Sequence, residues 1–202
     1  QLERTLKRLQ TDYVDIYYLH RYDPFTPPTE IARAMGEELR RGTIRYWGVS
    51  NYDTEQLRAL LRAAREENVP LPSVCQPALS LLKPEALSTL LPLCREAGIG
   101  VVPYQLLQGG LLTGKYRRGT QPPKDSRMAE KPEWMKPMSD QDWETIENTA
   151  AAARREGLTM VQYVMRWALS CPGVVSALLG FKRREQIDEA AQALMRETGS
   201  RI

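Results

Sequence analysis

Residues 11–24 read TDYVDIYYLHRYDP and place His20, the only histidine of the chain, directly after a run of strand-forming residues. Val, Ile and Tyr favour β-strands, so the pattern predicts a strand over residues 13–20. The strand must end there, because Pro24 follows and proline cannot donate to a strand ladder. His20 is therefore expected at a strand end, where parallel α/β folds carry many of their functional side chains.

Similar apolar runs recur along the chain and alternate with segments of helical periodicity. The predicted strands are residues 13–20, 44–51, 73–79, 98–105 and 173–181. The predicted helices are residues 1–10, 32–41, a segment that begins with a capping box at Asp53, 84–97, 139–155, 159–170 and 184–198. This alternation is typical of βα units in a parallel sheet. We therefore predict an α/β fold with five βα units in one domain, residues 1–202.

The composition excludes several classes of protein. With 42% hydrophobic and 26% charged residues, the chain has the make-up of a soluble globular domain. The net charge is only +3 and the basic residues are interleaved with acidic ones, so nucleic acid is not an expected partner. No apolar run approaches the roughly 18 residues that a membrane-spanning helix needs, so no membrane is expected as a partner.

The cysteines indicate whether a metal site is present and which compartment is expected, and the first ten residues indicate where the chain begins in its fold. Cys75, Cys94 and Cys171 are widely spaced and, with one histidine, do not form a zinc set, so no metal site is expected. An odd number of widely spaced cysteines fits a reducing, cytoplasmic compartment. The chain starts with Gln1 and residues 1–10 already have helical spacing, so we expect it to begin within a fold.

The predicted strand ends bring polar and aromatic side chains to one edge of the sheet. They are His20, the pair Ser50 and Asn51, Gln76, Tyr104 and the segment 180–183. Each side chain also has a structural interpretation, as a buried hydrogen-bonding partner, a turn or cap residue, or a space-filling ring. At this level both interpretations stay open.

The segment GFKRREQ, residues 180–186, gathers cations at the predicted start of the last helix. The positive end of a helix dipole disfavours Lys182, Arg183 and Arg184 there. An anionic ligand would reverse that penalty, because helix amides and basic side chains both attract phosphate. The alternative is a solvated basic turn.

Four segments together resemble the aldo-keto reductases, in the branch that includes potassium-channel β subunits and bacterial aldo/keto reductases. They are residues 6–24 (LKRLQTDYVDIYYLHRYDP), 42–52 (GTIRYWGVSNY), 101–116 (VVPYQLLQGGLLTGKY) and 178–190 (LLGFKRREQIDEA). The resemblance covers essentially the whole chain. It implies a TIM barrel, of which about five βα units are present, and an NADP(H)-dependent oxidoreductase that reduces aldehydes or ketones to alcohols.

The resemblance also implies roles for individual residues. His20 matches the catalytic histidine, which orients and polarises the substrate carbonyl. The nicotinamide carboxamide would be held by Ser50, Asn51 and Gln76, and Tyr104 would stack on the ring. The loop that clamps the pyrophosphate would include Leu107, Gly109, Leu111 and Lys115. The adenosine and its 2′-phosphate would be held by Gly180, Lys182, Arg183, Gln186 and Glu189, and the charges at 182 and 183 favour NADP(H) over NAD(H).

The chain also departs from the family pattern. Leu106 stands where the family usually has Pro, Ala190 where an Asn commonly contacts adenine, and Leu79 where an aromatic residue is usual. The family's catalytic Tyr, Lys and Asp have no match here, so we expect them in an N-terminal part outside these residues. The alternative function is an inactive NADP-binding or regulatory module, and a homo-oligomer is left open.

Overall fold

The computed structural model describes residues 1–135 and 137–195, without the side chains of Trp134 and Met195. These residues group into two units, which are Gln1–Pro77 with Leu87–Val102, and Ala78–Ala86 with the chain from Pro103 onward. We refer to them as the first unit and the second unit. The single domain expected over residues 1–202 stays a prediction.

The first unit alternates helices with strands. Its helices are Leu2–Leu9 (α1), Pro28–Arg41 (α2), Thr54–Glu66 (α3) and Leu90–Glu96 (α4), and its strands are Val14–Leu19 (β1), Ile44–Ser50 (β2), Val74–Gln76 (β3) and Gly100–Val101 (β4). Among the described residues, the sheet has four parallel strands in the order β1-β2-β3-β4. The predicted α/β class and the chain-order parallel pairing of the first four strands are confirmed.

The core of the first unit forms around β2. Ile44, Trp47 and Val49 are almost completely buried, and the Trp47 indole N–H donates to the carbonyl oxygen of Pro70 at 2.8 Å. On α3, Leu57, Leu60 and Leu61 recur at helical spacing and are also buried. A slip of β2 by one residue would move Trp47 and Val49 to the opposite face of the sheet, so their burial fixes the register.

The second unit consists mainly of helices and irregular segments. Its α-helices are Arg127–Glu130 (α5), Asp140–Arg155 (α6), Met160–Ser170 (α7) and Arg184–Met195 (α8). The 3-10 segments Gln108–Thr113 and Pro132–Trp134 lie between Tyr104 and α6. Capping boxes begin α6 at Ser139 and α7 at Thr159. The predicted last helix is described as far as Met195, and its expected end at 198 lies outside the described residues.

Three predicted strands differ from the structure. The strand expected over 73–79 is reduced to Val74–Gln76, because Pro77 lacks the N–H that a ladder needs. The strand expected over 98–105 is reduced to Gly100–Val101, because Pro103 lacks the N–H that a ladder needs. The strand expected over 173–181 does not form within the described residues: Leu178 N–H donates to Pro103 O at 2.9 Å, but no strand ladder continues from it. That prediction was wrong, because an apolar run forms a strand only where a neighbour satisfies its backbone groups.

The predicted helix over 84–97 is also divided. It becomes a 3-10 turn, Glu85–Leu87, and the shorter helix α4. The chain is not helical between them, and Thr89 at the N-cap position of α4 makes no side-chain capping bond. Pro92 lacks the N–H that a continuous helix would need and is tolerated only in the first turn, which explains why α4 begins at Leu90.

Candidate active site

Four predicted site residues lie at neighbouring strand ends of the first unit. His20 directly follows β1, Ser50 and Asn51 lie at the end of β2, and Gln76 ends β3. The sheet register places Ser50 opposite Gln76 and Leu19 opposite Val49. We call these four residues the strand-end group, and the parallel pairing brings them together as the sequence predicts.

A chain of hydrogen bonds connects the strand-end group. The Asn51 amide nitrogen Nδ2 donates to the main-chain oxygen of His20 at 2.8 Å and to Ser50 Oγ at 3.1 Å. Ser50 Oγ in turn donates to the main-chain oxygen of Gln76 at 2.9 Å. Ser50 is only 2% exposed, whereas Asn51 and His20 are exposed. The bonds therefore tie three strand ends to one another and leave the His20 side chain at the surface of the unit.

The backbone around Asn51 explains both the turn and the helix that follows. Asn51 has a φ of 58°, in the left-handed region that Asn tolerates better than most residues. Asp53 then caps α3: its carboxylate accepts from Gln56 N–H at 2.8 Å, and Gln56 Oε1 accepts from Asp53 N–H at 3.0 Å. The capping role belongs to Asp53, as predicted, and leaves the Ser50 and Asn51 side chains to the bonds between strands.

Two tyrosines near the strand-end group are held as neutral phenols. Burial raises the pKa of Tyr52 to about 12, and its ring packs edge-to-face on Tyr22 with centroids 5.6 Å apart. Burial also raises the pKa of Tyr18, and the hydrogen bond between Tyr18 and Gln76 opposes that rise. A general acid works best with a pKa near the working pH, so neither phenol is tuned for proton donation.

The loop after Tyr104 in the second unit is shaped by glycines. Gly109 and Gly110 have φ values of 66° and 100°, which L side chains rarely adopt. Leu111 and Leu112 anchor the loop in a core that also contains Tyr116 and Val164. A Cβ atom on Gly110 would lie 3.3 Å from Lys115 Nζ, so the ammonium group lies directly beside the glycine backbone.

The other predicted residues of this loop are placed as follows. Tyr104 is half-buried and forms a parallel bridge with Ala78, and the Leu79 N–H donates to its main-chain oxygen at 3.1 Å. Leu107 is half-buried and packs against the apolar cores on either side of α7. Tyr104 and Leu107 therefore have structural contacts whatever their other roles.

The segment 180–186, which we call the basic segment, lies at the start of α8 and is largely exposed. Lys182 Nζ is 2.5 Å from Glu130 Oε2, and Arg183 Nη1 is 3.1 Å from Asp125 Oδ2. The Arg183 guanidinium lowers the pKa of Asp125. The two carboxylates come from α5 and the loop before it, and sequence reasoning missed both because nothing in a distant irregular loop indicates which cation it will meet.

Gln186 and Glu189, two further predicted site residues near α8, make hydrogen bonds that hold the helix in place. Gln186 Oε1 accepts from the backbone N–H groups of Lys182 at 2.8 Å and Arg183 at 3.2 Å, which closes the turn before the helix. Gln162, buried on α7, donates to the main-chain oxygen of Glu189 at 3.3 Å. A Cβ atom on Gly180 would meet no atom within 4 Å. Nothing among the described residues therefore requires glycine at 180.

The three departures from the expected pattern are all buried. Leu79 and Leu106 are each 1% exposed, and Ala190 packs against Val161 and Met165 between α7 and α8. An asparagine at 190 would place an amide in this apolar contact, which is costly without a hydrogen-bonding partner. The substitutions at these positions therefore fit the packing of the second unit.

Comparisons with known proteins cover nearly the whole chain. Residues 1–198 match the model of the aldo/keto reductase family. The L-glyceraldehyde 3-phosphate reductase of Escherichia coli (strain K12) is 35% identical over 199 residues, which are 96% of this chain and 57% of that protein. A probable voltage-gated potassium channel subunit beta of Arabidopsis thaliana is 34% identical over 194 residues, which are 94% of this chain and 59% of that protein.

A similar subunit of Oryza sativa subsp. japonica is 34% identical over 197 residues, which are 96% of this chain and 60% of that protein. The chain thus spans between 57% and 60% of the length of these relatives. The family match itself extends over 198 of 202 residues and includes both units. The chain belongs to the aldo/keto reductase family.

Proposed function

We propose that these residues are part of an NADP(H)-dependent oxidoreductase that reduces small aldehydes or ketones to alcohols on a TIM barrel. The observation that carries the proposal is the hydrogen-bonded strand-end group, in which a histidine, a hydroxyl and two amides follow three adjacent strands. A nicotinamide carboxamide offers one donor group and one acceptor, and amide side chains supply the complements of both. The reductase named among the relatives supports the same reaction class.

The residues of the second unit fit a pyrophosphate and a 2′-phosphate. Gly109 and Gly110 allow the close backbone approach that a phosphate needs, and Lys115 lies beside them. Lys182 and Arg183 supply positive charge at the start of α8, and Gly180 leaves open space before them. We propose that the loop with Leu107 and Leu111 holds the pyrophosphate, and that the basic segment with Glu189 holds the adenosine and its 2′-phosphate.

In the proposed reaction NADPH supplies the hydride, and the protein orients the carbonyl and controls the proton. Ser50, Asn51 and Gln76 would hold the carboxamide, and Tyr104 would stack on the ring. His20, exposed at the end of β1, would donate a hydrogen bond to the carbonyl oxygen and polarise it. The oxygen must also take up a proton, and Tyr18 and Tyr52 are poor donors because burial raises the pKa of each.

The proton donor is therefore proposed to be the family's Tyr, with its Lys and Asp, in a part of the protein outside these 202 residues. A positioned general acid typically contributes about 10²- to 10⁴-fold to the rate. We also propose a cytoplasmic location, because Cys75, Cys94 and Cys171 are free and buried. Within the described part of the chain, none of the helices has the length and apolar character needed to cross a membrane.

The test follows NADPH oxidation with a reactive aldehyde by the full-length protein and its His20→Ala variant. We expect kcat to fall by about 10²-fold, as for the loss of a donor to a developing oxyanion. The dissociation constant for NADPH should change little, and Arg21→Ala, at the next exposed residue, is the matched control. If His20→Ala weakens NADPH binding and leaves kcat unchanged, the assigned role of His20 is wrong.

The second candidate function is an NADP-binding or regulatory module without turnover. It is favoured by the similarity to proteins named as potassium channel β subunits. The same assay separates the two candidates. Tight NADPH binding with no oxidation across a panel of aldehydes and ketones would support the module, whereas measurable turnover supports the reductase.

A further inference from the structure

Tyr18 lies across β2 above a glycine that leaves room for its ring. The register pairs Tyr18 with Gly48 and Gly48 with Val74, so the three residues stand side by side on β1, β2 and β3. A Cβ atom on Gly48 would lie only 2.9 Å from Tyr18 Cε1, closer than real Cβ contacts. The absence of a side chain at 48 thus allows the aromatic ring to extend over the middle strand toward β3.

The Tyr18 hydroxyl meets the side chain of Gln76 on β3, two residues after Val74. A hydrogen bond joins the two side chains, and it opposes the rise in the phenol's pKa that burial causes. Gln76 is therefore fixed at two points, since its main-chain oxygen also accepts from Ser50 Oγ at 2.9 Å.

We infer that Tyr18 is a positioning residue, which orients the Gln76 amide toward the nicotinamide carboxamide. This inference rests on the proposed function, because it deepens the role given to Gln76 there. The two ends of a glutamine amide have nearly the same shape but opposite hydrogen-bonding character. Because Tyr18 holds one end of the Gln76 amide, the side chain keeps one orientation, and its other end is left to meet the carboxamide.

The inference also explains why Gly48 and Tyr18 occur together. Any side chain at 48 would meet the Val74 carbonyl oxygen at 2.7 Å and push against the Tyr18 ring. Such a shift would move the hydroxyl away from Gln76. The neighbouring Tyr17 pairs with Trp47, and its side chain points to the opposite face of β1 because side chains alternate along a strand.

The test compares Tyr18→Phe with the matched control Tyr17→Phe in the full-length protein. Each variant loses one hydroxyl from the same strand, and both are titrated with NADPH and with 2′-phospho-ADP-ribose, which lacks the nicotinamide. We expect Tyr18→Phe to weaken NADPH binding by about two- to tenfold, the range of a neutral hydrogen bond, and to leave binding of 2′-phospho-ADP-ribose unchanged. Tyr17→Phe should change neither.

A double-mutant cycle with Gln76→Ala shows whether Tyr18 acts through Gln76. In the Gln76→Ala background, Tyr18→Phe should have no further effect on NADPH binding. Equal effects of Tyr18→Phe in both backgrounds, equal loss of both ligands, or no loss at all would overturn the inference. If the unmodified protein binds neither ligand, the proposed function fails first and the inference fails with it.

Discussion

The strand-end group and the basic segment are held in place by different physics. The first is built from hydrogen bonds between the ends of paired strands, with Ser50 only 2% exposed and the bonds between 2.8 and 3.1 Å long. The second is built from exposed charges, and the side chains of Lys182 and Arg183 are 59% and 62% exposed. Exposed ion pairs contribute little to stability and are screened by salt.

The difference indicates what each region can do. Hydrogen bonds fixed by strand register keep donors and acceptors in one geometry, which suits recognition of a small group with defined polarity. An exposed cation can exchange its carboxylate partner for another anion at little cost in free energy. The basic segment is therefore suited to binding a phosphate in place of the carboxylates of Asp125 and Glu130. We therefore expect substitutions that disturb the packing of the strands to lower the stability of the fold, and substitutions of the charges around the basic segment to change ligand affinity with little effect on stability.

The largest expected effect comes from Gly48→Ala. The new Cβ would lie 2.7 Å from the Val74 backbone oxygen and 2.5 Å from Val74 Cγ2, and the backbone atom cannot move aside without disturbing the sheet. We expect the free energy of unfolding to fall by about 1–3 kcal/mol, the usual cost of overpacking, as measured by urea denaturation.

Gly180→Ala is the matched control for that prediction, because a Cβ there meets nothing within 4 Å. Its unfolding free energy should stay within about 0.5 kcal/mol of the parent protein, as for ordinary surface changes. If the two variants unfold at the same urea concentration, the strand ends are not held by close packing and the comparison between the regions fails.

A smaller effect is expected from Glu130→Gln, which removes the carboxylate paired with Lys182 at 2.5 Å. Without that competitor, NADPH should bind about two- to fivefold more tightly at low salt, which is the range of an exposed ion pair. The gain should shrink at high ionic strength because exposed charges are screened. The measurement is a fluorescence titration with NADPH at two salt concentrations.

Asp140→Asn is the control for Glu130→Gln. It neutralises another exposed carboxylate of the second unit, one that pairs with Arg118 instead. It should leave NADPH affinity unchanged. Weaker NADPH binding by Glu130→Gln at low salt would mean that the carboxylate supports the basic segment, not that it competes with the phosphate.

Local signals in the sequence predict most of the first unit. The β-branched and aromatic run at 13–20 becomes β1, and the Asp53 and Gln56 pair forms the expected capping box. The strand-end position of His20 and its closeness to Asn51 also follow, because parallel strands end at one edge of a sheet. These features depend on residues that are near in sequence or on neighbouring strands.

The features that sequence patterns miss depend on contacts distant in sequence. The run 173–181 has the composition of a strand, but Val175 is 66% exposed and no ladder of the described residues includes the segment. The sequence indicates that Tyr18 and His20 share a face of β1, because they are two residues apart. The contact of Tyr18 with Gln76 could not be predicted, because it depends on the register of three strands. Likewise, nothing in the sequence around Asp125 and Glu130 indicates that they pair with Arg183 and Lys182.

The central claim is that the basic segment selects a 2′-phosphorylated dinucleotide. The most direct test titrates the full-length protein with NADPH and NADH, together with Lys182→Met and its control Arg184→Met, whose cation pairs with Asp188 within α8. We expect NADPH to bind at least about tenfold more tightly than NADH, and Lys182→Met to remove most of that preference while Arg184→Met keeps it. Equal affinity of the unmodified protein for NADPH and NADH would contradict the account.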